Sequence, residues 1–163
     1  MNQPNQSEKE LLIKLLHKVL LYRITRNIDK ELNVRKISHS EISGSTGRNS
    51  NWFNRSFNEL EDMKITTFVK ILAAVNKNVD ATTNSNFQPV SIESVLDKET
   101  LRIASYTIDV SINDLDYLIT NSTNFREFLI EIRFYVVSLK ALNNVLSSDE
   151  LDAYEVIFKR IKA

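Results

Sequence analysis

The stretch Ile37-Ser38-His39-Ser40-Glu41-Ile42-Ser43-Gly44-Ser45-Thr46-Gly47-Arg48-Asn49-Ser50-Asn51-Trp52-Phe53-Asn54-Arg55 holds both glycines of a 163-residue chain. Its pattern predicts two short helices joined at a bend. The first ends at Gly47, a residue that reaches positive φ without steric cost. The second opens with Asn49 or Ser50 as its cap, because a short polar side chain there accepts an otherwise unpaired backbone N–H. Ile42 and Phe53 are spaced to meet across the bend. Ser43 is small enough for two crossing helices to approach each other closely. Such a pair has the geometry of a helix-turn-helix.

Along Ile37–Val75 the chain resembles, without a gap, the DNA-binding domain of the Xre/Cro type, the phage-repressor family. Ser38–Ser43 stands where that family usually has Ser-Gln-x-Glu-Leu-Ala, and Thr46-Gly47 matches its Thr-Gly turn. Ser50–Arg55 matches the recognition helix, with Phe53 in place of the usual buried aliphatic residue. Ile65–Val75 matches the next helix, usually Leu-x-Thr-Leu-x-Lys-Ile-Ala, and Val90–Leu96 fits a fifth helix displaced by an insertion. The chain departs from the pattern at Arg48 and Ser56, where core aliphatics are usual, and at Glu59, where a glycine is usual. Phe57 is placed to turn inward in compensation for Ser56.

The resemblance implies that the front of the chain reads duplex DNA, with the second helix of the pair in the major groove. Asn51 and Asn54 then match the donor–acceptor pattern of adenine, and Arg55 the paired acceptors of guanine. Ser50 suits a base or a phosphate. His39 and Arg48, at helix starts, suit backbone phosphates, and Asn49 completes the DNA-binding set. Trp52 is assigned to the core. One such module covers a half-site, so the resemblance also implies a homodimer on a pseudo-palindromic operator.

Composition narrows the alternatives. The chain has no cysteine, which removes disulfides, thiol nucleophiles and thiolate metal sites. His17 and His39 are too few for a histidine metal cage, and two glycines are too few for a Gly-rich phosphate loop. No catalytic residue, metal or cofactor is therefore expected, and the chain reads as a non-enzyme. Asp114 and Asp116 form an Asp-x-Asp pair with no further carboxylate at loop spacing, so they read as surface. The apolar run Leu11–Tyr22 is broken by Lys14, His17 and Lys18, so neither a membrane span nor a signal peptide is expected, and the expected location is cytoplasmic.

Charge is uneven along the sequence. Residues 1–80 carry 13 Lys/Arg against 9 Asp/Glu, whereas residues 81–163 carry 8 against 12. A +4 front and a −4 back suggest a polyanion-binding module joined to something different. The segmentation expected is a DNA-binding domain over 1–80, a linker over 81–90, and a helical dimerisation or partner-binding domain over 91–163.

Helical periodicity dominates, so the fold class expected is all-α. Ser7 and Glu10 form a capping box opening a helix that runs to about Leu32, with Leu12, Leu16, Val19, Ile24, Ile28 and Leu32 inward. The alternation over Leu101–Val110 permits one short strand. Phe125, Phe128, Ile132, Tyr135, Leu139, Leu142 and Leu146 step as a heptad seam through a helix over 124–146, serving as an internal core or a dimer seam. Ser147 and Glu150 form a second capping box, opening a last helix with Leu151, Tyr154, Phe158 and Ile161 inward.

The function expected is that of a transcriptional regulator, a homodimeric (auto)repressor from a phage or mobile element. The layout is also similar to helix-turn-helix-containing anti-CRISPR proteins. On that alternative, the front represses its own operon and an acidic back domain inhibits a Cas9-type nuclease.

Overall fold

The computed structural model describes residues 4–77 and 89–162, and all regular structure among the described residues is helical. Most of the expected linker, residues 81–88, lies outside the described residues. The chain divides into two compact units, Leu21–Thr100 and Met1–Leu20 with Leu101–Ala163. Helix α1, Pro4–Val34, contributes residues to both, and it begins ahead of the Ser7 capping box expected to open it.

In the unit Leu21–Thr100, α1 lays Ile28 and Leu32 into an apolar core. The helix stops because Lys36 turns left-handed at φ +57, so that Ile37 N–H reaches the Leu32 carbonyl at 2.9 Å. Lys36 N–H reaches Asn33 at 3.2 Å, which completes a Schellman cap. Helices α2 (His39–Ser45), α3 (Trp52–Glu59) and α4 (Ile65–Lys77) follow. They supply Ile42, Trp52, Phe53, Phe68 and Ile71 to the core shared with α1. Ile42 and Phe53 do meet there, both fully buried, and Phe57 packs against the same cluster while Ser56 is buried beside it.

The same unit takes in residues that the sequence assigned elsewhere. Val90 and Val95, the latter on α5 (Ile92–Val95), are buried in this core. Asn76 clips the returning chain, its amide donating to the Val90 carbonyl at 3.1 Å and accepting the Val90 N–H at 2.8 Å. The segmentation at 81–90 therefore differs from the folded division, because Val90 and Val95, within the stretch matched to a fifth helix, help close the first core.

In the other unit, Leu12, Leu15, Leu16 and Val19 of α1 are buried. The segment that permitted a strand lies within helix α6, Lys98–Ile112, with Ile103, Thr107 and Val110 inward and Leu101, Ile108 and Ile112 exposed. Three- and four-residue steps of burial override the local alternation. Helix α7 (Leu115–Asn121) starts on Asp114, whose carboxylate accepts the Tyr117 N–H at 3.0 Å, and Asp116 pairs with Arg160. The Asp-x-Asp pair is thus a cap and an ion pair.

The expected 124–146 helix is interrupted. It forms α8 (Thr123–Glu131) and α9 (Arg133–Lys140), which meet at Ile132 where ψ is −6. It ends at Lys140, before Leu142 and Leu146, and Asn144 turns left-handed at φ +60, a conformation asparagine tolerates. Phe125, Phe128, Ile132, Tyr135 and Leu139 are all buried within the chain itself, so this seam is internal core. Helix α10 (Ser148–Lys162) opens on the expected Ser147 cap, while the Glu150 carboxylate accepts from Ser147 Oγ at 3.2 Å and not from its N–H. Ser147 Oγ accepts the Glu150 N–H at 3.1 Å, and the buried Glu150 carboxylate also takes Lys18 Nζ at 2.6 Å. Its buried stripe is Glu150, Ala153, Tyr154 and Ile157, rotated from the one expected, with only Tyr154 in common. The Tyr154 hydroxyl donates to the Leu129 carbonyl at 2.7 Å, and burial pushes it up to about 12.

Folding redistributes the charge. Leu21–Thr100 holds 11 Lys/Arg against 10 Asp/Glu, and the other unit 10 against 11. The +4/−4 contrast becomes +1/−1, because Lys9, Lys14 and Lys18 with Glu8 and Glu10 fold with the acidic segment while Glu93, Asp97 and Glu99 with Lys98 fold with the basic one. Net charge consequently supports neither a polyanion-binding half nor an acidic nuclease inhibitor.

No described helix is long and apolar enough to cross a membrane.

Candidate nucleic-acid interface

The residues between α2 and α3 are held by a chain of short-range bonds. Ser38 caps α2, its hydroxyl accepting the Glu41 N–H at 3.1 Å. At the far end Thr46 N–H reaches Ile42 and Ser43, Gly47 N–H reaches Gly44, and Arg48 N–H returns to Ser43 at 3.0 Å. Gly47 sits at φ +76, the one conformation in this turn that an L side chain resists. The Asn49 side chain then accepts the Asn51 N–H at 3.0 Å, and its carbonyl accepts the Trp52 N–H at 2.9 Å. Helix α3 therefore starts at Trp52, with Asn51 as its cap residue. Asn49 and Ser50, each read as that cap from the sequence, belong to the turn ahead of it.

The helix divides into two faces. Trp52, Phe53 and Ser56 are buried, while Asn49, Ser50, Asn51, Asn54 and Arg55 are exposed. Five of the seven residues marked for DNA contact thus share one polar surface. Asn58, which the sequence reading passed over, extends it by one turn and donates its amide to the Asn54 carbonyl at 3.0 Å. Its four-residue spacing from Asn54 was the available signal. Arg55 forms no ion pair among the described residues, so Glu59 one turn on leaves it uncompensated. From the last residue of α3 onward the surface turns acidic, with Glu59, Glu61 and Asp62 all exposed.

His39 and Arg48, the two residues expected at phosphates, each meet a side chain of a neighbouring helix. His39 Nε2 lies 2.5 Å from the Asp29 carboxylate of α1, and the ring stands edge-on to Phe53 with centroids 4.8 Å apart. Its Nδ1 faces Asn54 Oδ1 at 3.4 Å. His39 thus joins α1, α2 and α3 to one another. Arg48 donates to Thr67 Oγ1 on α4 at 3.2 Å and lies 5.1 Å from the Trp52 ring centre, yet the residue as a whole remains exposed.

The C-terminal half of α3 is clamped from α1. Arg26 stacks 3.6 Å from the Phe57 ring centre and donates to the Phe57 carbonyl at 2.5 Å. Burial lowers the Arg26 guanidinium from its ordinary value, and Tyr22 and Asp29 offset part of that. The outward side chains of α3 are consequently presented on a helix fixed at both ends.

Among the described residues no group of three or more His, Asp or Glu side chains converges as metal ligands. No family model matches the chain, and neither the curated proteins nor the solved structures contain a match to it.

Proposed function

We propose that the chain is a sequence-specific double-stranded DNA-binding regulator. In this reading α2 and α3 form a helix-turn-helix, and α3 enters the major groove with Asn51, Asn54 and Arg55 on base edges. Ser50 and Asn49 lie at the leading end beside the backbone, with Arg48 behind them. His39 acts as a positioning residue for α3 instead of a phosphate contact. The chain works as a homodimer, one copy on each half of a pseudo-palindromic operator, and represses by occluding it.

One observation carries the reading. A polar row free of carboxylate runs from Asn49 to Asn58 on the exposed face of α3, directly after a turn built on Gly47 at φ +76, while Trp52 and Phe53 anchor the opposite face. Amide and guanidinium groups in that arrangement supply both donors and acceptors to a groove edge, and they carry no like charge to repel phosphates.

Selection of bound duplexes from a random pool, at two salt concentrations, tests it. The wild-type chain should enrich a two-fold-symmetric site. Asn51→Ala and Arg55→Ala should each lose about 1–3 kcal/mol of discrimination at one base position. Both side chains are exposed, so folding stability should stay within about 0.5 kcal/mol of wild type. Failure of the wild-type chain to enrich any sequence overturns the proposal.

A further inference from the structure

We infer that a cleft between the end of α2 and α4 binds a phosphate group. It measures about 350 Å³ and is lined by Ser45, Lys70, Ala73, Ala74 and Lys77. The two lysines are seven residues apart, close to two helical turns, so they stand on one side of α4 about 10 Å apart along its axis. Ala73 and Ala74 lie between them and keep the floor open.

The donors here lack acceptors. Among the described residues no carboxylate lines the cleft, and neither Lys70 nor Lys77 forms an ion pair. The carbonyl oxygens of Ile42, Ser43 and Gly44 already accept the N–H groups of Thr46, Gly47 and Arg48. Two lysines and a serine lining one small volume suit a compact anion with several acceptor oxygens. Lysine, a point charge with three rotatable donors, suits a tetrahedral phosphate. Arg48, held at Thr67 one turn earlier on α4, continues the positive row toward the start of α3.

Two sources could supply that group, the backbone of a duplex or a small phosphorylated molecule, and the two arms of the test separate them. In the first arm, inorganic phosphate is titrated into the full chain and followed by amide NMR shifts. Ser45, Ala73 and Ala74 should shift saturably in the wild type and not in the Lys70→Gln/Lys77→Gln variant. In the second, the salt dependence of binding to a selected duplex is compared between the two proteins. A backbone contact at both lysines makes the slope of log K against log salt shallower by about 1.8, with base preference unchanged. A saturable phosphate shift with an unaltered duplex slope assigns the cleft to a small phosphorylated ligand.

Absence of both the shift and the slope change overturns the inference, whether or not the wild type binds DNA. If the wild type binds no duplex, the DNA-binding proposal fails while the phosphate arm still decides the cleft. Both lysines are exposed, so the variant should keep the wild-type circular dichroism and melting temperature.

Discussion

The Ser43 hydroxyl accepts the backbone N–H of Phe53 at 2.9 Å, across the bend between α2 and α3. The same hydroxyl donates to the His39 carbonyl at 2.8 Å, so both of its roles are used in full burial. Phe53 N–H is one of the unpaired donors at the start of α3, and Asn51, the residue in the cap position, makes no side-chain bond to that helix. Helix α2 thereby caps α3. Ser43→Ala should destabilise the chain by about 1–3 kcal/mol, the cost of leaving a buried donor unsatisfied. Urea denaturation with an unchanged m-value measures it, and a loss below about 0.5 kcal/mol would refute the capping role.

The two glycines should respond to alanine with opposite signs. Gly47 lies at φ +76, and a Cβ there would meet nothing within 4 Å, so the cost of Gly47→Ala is backbone strain alone. That strain is worth about 1–2 kcal/mol. Gly44 lies inside α2, and a Cβ there also meets nothing within 4 Å. Gly44→Ala should instead stabilise by about 0.5–1 kcal/mol through helix propensity. Thermal unfolding of the two single variants reads both signs.

The acidic residues after α3 set an orientation for the proposed complex. Glu59, Glu61 and Asp62 are exposed at its C-terminal end, where they would meet phosphates if the helix lay flat in a groove. The leading end carries Asn49, Ser50 and Asn51 and therefore enters deepest. Glu61→Gln/Asp62→Asn should tighten duplex binding at low salt and leave the preferred site unchanged. A fluorescence-anisotropy titration at two salt concentrations checks this, and weaker binding by the variant would contradict the orientation.

Acid should weaken the unit Leu21–Thr100 through Asp97. Burial alone would raise this carboxyl, but bonds from the Arg23 guanidinium at 2.7 Å and from the Thr100 hydroxyl and N–H outweigh it. The result holds Asp97 at about 2. An unfolded aspartate titrates near pH 4, so the folded value is the lower one. The stabilisation is complete above about pH 4 and is lost as pH falls from about 4 through about 2. Asp97 is about one-third exposed, so solvent screening reduces its worth to the order of 1 kcal/mol. Asp97→Asn should be less stable than wild type at pH 6, and the gap should close near pH 2. Denaturant titrations at both pH values test this, and a constant gap would assign the loss to packing.

Features legible in the sequence are those set by neighbours a few residues apart. The three- and four-residue steps of apolar residues specify helices over nearly all the described chain. Gly47 marks the bend because glycine reaches positive φ without steric cost, and the Ser147 cap on Glu150 N–H closes within one helical turn. The polar face of α3 was readable for the same reason, since Asn51, Asn54 and Arg55 alternate with Trp52 and Phe53 at helical spacing. Only tertiary packing decided the rest. It set His39 against Asp29, and it made Ser43 the cap of a different helix. It drew Val90 and Val95 into the first core, turned the 124–146 seam into interior, and reduced a charge contrast of +4/−4 to +1/−1. Each of these depends on which distant segments share a core, and that follows from burying apolar surface over the whole chain, which no local spacing encodes.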